Sequence, residues 1–522
     1  MRDRDGAPRS LPPGAAVAEW TLALPDLDAT ERLASFLAYD LQPGDLVTLS
    51  GGLGAGKTTL ARAVIRALAG DPDLDVPSPT FTLVQTYDTP VAPIVHADFY
   101  RLAGPGELRE LGWEEIAEPS IVLVEWPERA AAALAPSRLD IWLELSPGDG
   151  PEARLAAFAA RGALAERFAR ARALQELLER AGWADADREP MQGDASTRAY
   201  ERLVKPGGET AILMVAPRRP DGPPVWRGKP YSAVARLAES IHAFVAMDRG
   251  LRALGFSAPR ILGEDLATGL LLLEDLGHVP VVSGDGPIPE RYGEATRLLA
   301  RLHGAMLPNV LPVADDYDHV LPPYDLDAMM IEVELLLDWY GPHVAGQTFS
   351  GSVRGEFAHV WREVLAEIVG GPTTWTLRDY HSPNLIWLPD RGGLKRVGLL
   401  DFQDAVLGPP AYDVVSLLQD ARVTVPAELE FKLLGVYARE RAAADPAFGM
   451  RDFARAYAIM GAQRATKVAG IFARLDKRDG KPAYLAHLPR VESYLGRNLN
   501  HPALTRLRAW HETHLPRLVA SP

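Results

Sequence analysis

Three groups of residues have types and spacings that could do chemistry. The first is Gly51-Gly-Leu-Gly54-Ala-Gly56-Lys57-Thr58-Thr59, which fits G-x-x-x-x-G-K-[ST]. Glycines let a backbone take φ > 0 and turn its N–H groups onto phosphates, and a helix start adds partial positive charge. Lys57 would reach the β- and γ-phosphates of ATP, and Thr58 would offer a hydroxyl to Mg²⁺. The second group is a pair of acids, Asp98 in HADFYRL and Glu125 in LVEWPER, each placed where an apolar run gives out. In an open α/β sheet the ligand crevice lies there, so either carboxylate can hold Mg²⁺ or orient water. The third is Arg-Asp379-Tyr-His-Ser-Pro-Asn384, with the D-x-x-x-x-N spacing of a kinase catalytic loop. Such an Asp accepts the proton of a substrate hydroxyl, and the Asn binds Mg²⁺. Asp401, at the end of VGLLDFQD, suits the second metal-binding carboxylate.

The elements that must position these residues fall into two patterns. Residues 17–162 alternate strands and helices. Val47–Leu49 precedes the glycine loop, KTTLARAVIRALA repeats apolar residues at helical spacing, and Ile94–Val95 and Ile121–Val124 suit buried strands of an α/β sheet. RLDIWLE and EARLAAFAA suggest a hairpin at that sheet's edge. Residues 163–181 are helical and could end the first unit or open the second; the boundary is placed near Gly162. Residues 199–216 read as two strands around KPGGE, 232–254 as helix, and LLLLE at 270–274 as a strand. From Pro289 onward the chain is mainly helical, broken at 376–402 by short strands and loops. Residues 163–522 therefore divide into a small β-rich lobe, about 163–278, and a helical lobe, about 289–515. The fold class expected is an α/β P-loop domain followed by a two-lobed, protein-kinase-like α+β domain.

Composition sets limits on partners. A length of 522 residues fits two or three domains, and 47% hydrophobic residues allow buried cores. Cys is absent, which removes disulfides, thiolate metal sites and Cys nucleophiles. The net charge of −14 argues against clamping DNA, which needs a basic footprint. No apolar run is long enough for a membrane span, and residues 1–16, rich in Pro and Gly, read as a disordered start without a signal peptide. A cytoplasmic protein is expected.

The ordered set GGLGAGKTT, SPTF, HADFYRL and LVEWPER resembles the TsaE family, the small ATPase subunit of bacterial tRNA threonylcarbamoyladenosine biosynthesis. The resemblance covers about residues 17–162. It implies an ATPase that works with two partner subunits of TsaD and TsaB type, which carry out the transfer and supply most tRNA contacts. It also implies that Gly51, Gly54, Gly56, Lys57, Thr58 and Thr59 bind nucleotide. Thr80 would act as a nucleotide-sensing switch, Asp98 and Glu125 as acids of the Mg-ATP site, and Trp126 would pack beside the nucleotide.

The sequences GDASTRAYERL, LRDYHSPNL, LDFQDAVLGPPAYDV and QRATKVAGIFARL resemble the aminoglycoside phosphotransferase-like kinases. They are most like the cell-wall amino-sugar kinases of AmgK type, over about residues 165–515. This implies phosphorylation of the anomeric hydroxyl of N-acetylmuramate or N-acetylglucosamine. Ser196, Thr197 and Arg198 would cover the phosphates, and Glu274 would lie at a hinge whose backbone reads adenine. The strand that usually carries a phosphate-binding Lys reads Ala-Ile-Leu-Met214-Val, a cation that Arg198 could replace by its charge, and Leu377 stands where a His is common. Arg464 and Lys467, one helical turn apart, are candidates for an acidic substrate or are simply solvated. Asp413 is expected to brace the catalytic loop and His303 to be a packed residue. Readings left open are another hydroxyl acceptor (choline, homoserine or an aminoglycoside) and a non-catalytic docking module.

Overall fold

The computed structural model describes residues 17–102, 104, 106–110, 112–146, 148, 150–191, 198–218, 222–284 and 286–519. The expected disorder of residues 1–16 concerns a segment outside those described. Two compact units divide between Glu179 and Arg180.

The first unit holds β1 (Val17–Leu24), α1 (Leu27–Asp40), β2 (Leu46–Ser50), α2 (Lys57–Ala69), β3 (Val84–Tyr87) and β4 (Ile94–Asp98). After short helices α3 (Gly106–Glu110) and α4 (Trp113–Ala117) come β5 (Ile121–Glu125), β6 (Arg138–Leu145), β7 (Arg154–Arg161) and α5 (Ala163–Ala181). The sheet order is β1-β7-β6-β2-β5-β4-β3. β4 and β5 are buried along their whole length, as apolar runs covered on both faces should be. β2 runs parallel to β5 and β6, and β4 parallel to β5, so that Leu49 and Asp98 both lie opposite Glu125. That register brings the carboxyl ends of three strands to one edge, beside the loop that enters α2.

Two expectations are corrected here. The β6–β7 hairpin is not the sheet's edge, because β1 pairs with β7 from Val17↔Arg161 to Leu24↔Arg154. Helix α5 begins in the first unit: Leu164 and Phe168 pack into the same core as Leu33 of α1 and Leu60 of α2. The first unit therefore runs past Gly162, because the apolar face of the start of α5 is buried there.

In the second unit β8 (Asp187–Met191), β9 (Ala199–Val204) and β10 (Thr210–Val215) join the strands Leu270–Glu274 and Ile261–Asp265 in an antiparallel sheet. β8 reads Asp-Arg-Glu-Pro-Met, and it escapes sequence analysis because a mostly exposed edge strand with Pro and charges carries no apolar alternation. Helices α6 (Tyr231–Ala235) and α7 (Ile241–Ala253) follow β10, and α8 (Pro289–His303) opens the helical lobe. The catalytic-loop region is framed by two small pairings, Thr374–Thr376 with Val406–Gly408 and Leu385–Trp387 with Val397–Leu399. One continuous core runs from Met214 and Leu271 of the small lobe to Trp361 and Tyr437 of the helical lobe. Among the described residues no helix is long and apolar enough to cross a membrane.

Candidate active sites

In the first unit the glycine loop does what its sequence requires. Gly51, Gly54 and Gly56 all have positive φ, and a Cβ on Gly51 would lie 2.3 Å from the Leu143 carbonyl oxygen. Lys57 is the first residue of α2 and is buried. Its Nζ donates to the carbonyls of Gly51 (2.8 Å) and Gly52 (2.9 Å) and sits 3.9 Å above the centre of the Trp126 ring. Burial pushes the Lys57 ammonium below its ordinary value, while Glu125, Glu128 and Asp98 pull the other way.

Thr58 Oγ1 donates to Glu125 Oε2 at 2.9 Å, and the other Glu125 oxygen lies 3.0 Å from His96 Nε2. Asp98 accepts from Thr80 Oγ1 at 2.7 Å and from the Tyr100 N–H at 2.9 Å. The SPTF segment is thus tied to the end of β4, and Trp126 is held at the end of β5 with φ +57°. Thr59 and Gly56 line a cavity of about 210 Å³ with Glu152 and Arg154. The hydroxyl of Thr58 and the Glu125 carboxylate meet as hard oxygen donors, a set that fits Mg²⁺. Sequence reasoning assigned no role to His96 or Arg154. His96 was visible as the one ring in an apolar strand. Arg154 arrives from β7 to donate to the Ala55 carbonyl (3.2 Å), with no local signal.

In the second unit Asp379 and its neighbours are held by backbone contacts. Asp413 accepts from the Leu377 N–H (2.7 Å) and the Arg378 N–H (2.9 Å), the expected brace. Because the brace uses main-chain donors, Leu377 serves where a His is common; its side chain is buried in the core. Arg378 has φ +67°, and its buried guanidinium reaches the Ala235 carbonyl (3.0 Å) and Glu332. Asp420 accepts from Ser382 N–H (2.9 Å) and Oγ (2.6 Å), closing the far side of the loop. His303 packs as expected, its Nδ1 2.9 Å from Tyr437 Oη. Glu332 and Asp420 went unassigned in the sequence because their partners are distant in the chain.

Asn384 Nδ2 donates to the Asp379 carbonyl at 2.9 Å and lies 3.5 Å from Asp401 Oδ2. Gln403 Nε2 donates to Asp401 Oδ1 at 2.7 Å, and Arg198 Nη1 lies 3.3 Å from the same oxygen. Burial pushes the Asp401 carboxyl up to about 6, aided by Asp379 and opposed by Gln403 and Arg198. Burial also acts to raise Asp379, but His381, Lys467, Arg378 and Arg464 outweigh it and hold Asp379 below the ordinary carboxylate range. An ionised base thus sits beside an Asn–Asp pair whose oxygens fit Mg²⁺.

Two expectations need adjustment. The Glu274 N–H already donates to the Arg260 carbonyl (2.8 Å), and its side chain binds Arg391 (2.8 Å), so this residue's own N–H does not read adenine. Lys467 is neither solvated nor free, because its Nζ lies 2.8 Å from Glu332 and donates to Tyr412 Oη at 3.2 Å. Ser196 and Thr197 lie outside the described residues. Met214 is buried in β10, leaving Arg198 as the small-lobe cation at Asp401.

Comparison with known proteins gives two matches in chain order. The family described as threonylcarbamoyl adenosine biosynthesis protein TsaE matches residues 24–152, and the phosphotransferase enzyme family matches residues 187–448. An N-acetylmuramate/N-acetylglucosamine kinase of Caulobacter vibrioides is 40% identical over 347 residues, 64% of this chain and 94% of that protein. A kinase of the same name from Pseudomonas aeruginosa is 34% identical, covering 62% of this chain and 87% of that protein. A tRNA threonylcarbamoyladenosine biosynthesis protein TsaE of Rickettsia felis is 42% identical over 124 residues, 24% of this chain and 72% of that protein.

Proposed function

The chain belongs to the phosphotransferase enzyme family and, through its first unit, to the TsaE family, and we propose that it joins two ATP-dependent enzymes of the cytoplasm. Both families use ATP with Mg²⁺. In this reading the second unit phosphorylates the anomeric hydroxyl of N-acetylmuramate or N-acetylglucosamine in cell-wall recycling. The first unit serves tRNA threonylcarbamoyladenosine formation with partner subunits of TsaD and TsaB type. The observation that carries the kinase half is the ionised Asp379 beside Asn384 and Asp401, in a chain that spans nearly all of an amino-sugar kinase relative.

The acceptor hydroxyl gives its proton to Asp379 as its oxygen attacks the γ-phosphorus, and ADP departs. Asn384 and Asp401 would hold Mg²⁺, which when bound neutralises charge on the transferred group. Arg198, paired with Asp401 here, stands where it can turn to the incoming phosphates. An anomeric hydroxyl is more acidic than an ordinary alcohol, so a carboxylate is a sufficient base for it. In the first unit Lys57 and Thr58 would receive the phosphates and Mg²⁺, with Glu125 and Asp98 lining the same edge.

Incubation of the full chain with Mg-ATP and either sugar should give an acid-labile phosphate without a reducing end. A product that keeps its reducing end, or failure to consume either sugar, would contradict the assignment and direct attention to another acceptor. For the first unit, expressing the full chain in a bacterium that lacks its stand-alone ATPase should restore threonylcarbamoyladenosine in tRNA, read by mass spectrometry. Soluble protein without the nucleoside would count against that half.

A further inference from the structure

We propose that His96 is a positioning residue of the first unit's nucleotide site, holding the Glu125 carboxylate from inside the sheet so that one oxygen stays turned to Thr58. The proposal rests on the Mg-ATP reading of that unit and gives a task to a side chain behind the site. β4 is an apolar strand with one ring in it. Ile94 packs with Leu123 of β5 in one core, while Val95 and Ala97 face the other side of the sheet. Side chains alternate along a strand, so His96 shares a face with Ile94 and Asp98. The parallel register sets His96 opposite Leu123 and Asp98 opposite Glu125. His96 is fully buried, and its Nε2 lies 3.0 Å from Glu125 Oε1. The other Glu125 oxygen accepts from Thr58 Oγ1 at 2.9 Å, in the first turn of α2. A carboxylate gripped at both oxygens does not turn about its last torsion. With 2% of the Glu125 side chain exposed, water has little room to stand in for either donor.

The ring's other nitrogen tells which atom carries the hydrogen. His96 Nδ1 is buried and has no hydrogen-bond partner among the described residues. Gln85, opposite His96 on β3, spends its side-chain oxygen on the Tyr87 hydroxyl at 2.7 Å. The second carboxylate at this edge, Asp98, is taken by Thr80 Oγ1 and the Tyr100 N–H. A buried N–H without an acceptor is disfavoured, so the hydrogen belongs on Nε2, where Glu125 accepts it. An aliphatic residue would continue the apolar strand without stranding a nitrogen in the interior. The imidazole earns its place there through Glu125. Hydrogen bonds behind a metal-holding carboxylate fix its orientation, and this one leaves Oε2 at the hydroxyl with which it would share Mg²⁺.

The test is nucleotide binding to the full chain with and without Mg²⁺, counted as the part that Lys57→Ala removes, on wild type, His96→Leu and His96→Gln. His96→Leu should raise the Mg²⁺ concentration at half-maximal binding by about 10- to 100-fold, the range for losing a hydrogen bond behind a metal ligand. Its binding of nucleotide without Mg²⁺ should stay within a few-fold of wild type, which also shows that the unit is folded. His96→Gln, whose amide N–H can reach Glu125, should recover most of the loss. In the ligand-free chain, the ring nitrogen signals that disappear in His96→Gln should show the hydrogen on Nε2 by NMR. A bare Nε2 would overturn the proposal, and this readout decides even where the leucine variant fails to fold. Equal losses with and without Mg²⁺ would mean that the ring only supports the strand, and would overturn it as well. So would an unchanged Mg²⁺ requirement in His96→Leu. A wild-type chain whose Lys57-dependent binding ignores Mg²⁺ would instead remove the Mg-ATP reading of the first unit, and this inference with it.

Discussion

Asp379→Asn is expected to lower the turnover of sugar phosphorylation by about 10²–10⁴-fold, the usual worth of a positioned general base. Binding of Mg-ATP should stay within a few-fold of wild type. The expectation follows from where the charge sits. Lys467, Arg378 and Arg464, with His381 alongside, hold Asp379 below the ordinary carboxylate range, so it is poised to accept a proton at neutral pH. The amide of Asn cannot take the hydroxyl proton but fills the same space. The loop does not depend on the Asp379 side chain, since Asp413 holds Leu377 and Arg378 and Asp420 holds Ser382. The Asn384 bond runs to the Asp379 main-chain oxygen, which the substitution keeps. Steady-state rates with saturating sugar, set beside nucleotide affinity, check the split. Loss of nucleotide binding together with turnover would mean that Asp379 serves the metal site instead.

Lys57→Ala is expected to reduce ATP hydrolysis by the first unit by about 10²–10³-fold, as loss of a preorganised charge on a transferring phosphoryl group does. Sugar phosphorylation should be unaffected, because Lys57 and Asp379 belong to different compact units. Lys57 is poised for release to a ligand. Its three protons are partly spent on the Gly51 and Gly52 carbonyls, and burial makes its charge costly without an anion. The loop itself should survive the change, since its path depends on glycines with positive φ. Assaying both activities on one preparation decides the matter; loss of both from the single substitution would refute separate sites.

What could be read from the sequence was local. The turn from β2 into α2 needs glycines at fixed positions and a Lys and Thr at the helix start, all within a nine-residue window, so Gly51 to Thr59 announce themselves. Asp379 and Asn384 are likewise close in the chain. The brace from Asp413 was legible because it opens a helix just after a Gly-Pro-Pro turn in a motif with a recognisable neighbourhood. The illegible parts depend on pairings across long stretches of chain. β1 finds β7 through a register that no local pattern encodes, and β8 is an edge strand of charges and Pro. The allegiance of α5 is set by which core buries Leu164 and Phe168, since its helical pattern is the same in either unit. Lys467 could be read only as a contact for an acidic substrate or a solvated cation because its partner, Glu332, lies on the helix Leu326–Val333, far away in sequence.

The claim on which the rest stands is that one chain carries two independent Mg-ATP sites. Equilibrium binding of a non-hydrolysable ATP analogue with Mg²⁺ to the full chain counts them directly. The account predicts two nucleotides per chain for the wild type and one for Lys57→Ala. One nucleotide per chain in the wild type, lost altogether in Lys57→Ala, would contradict it.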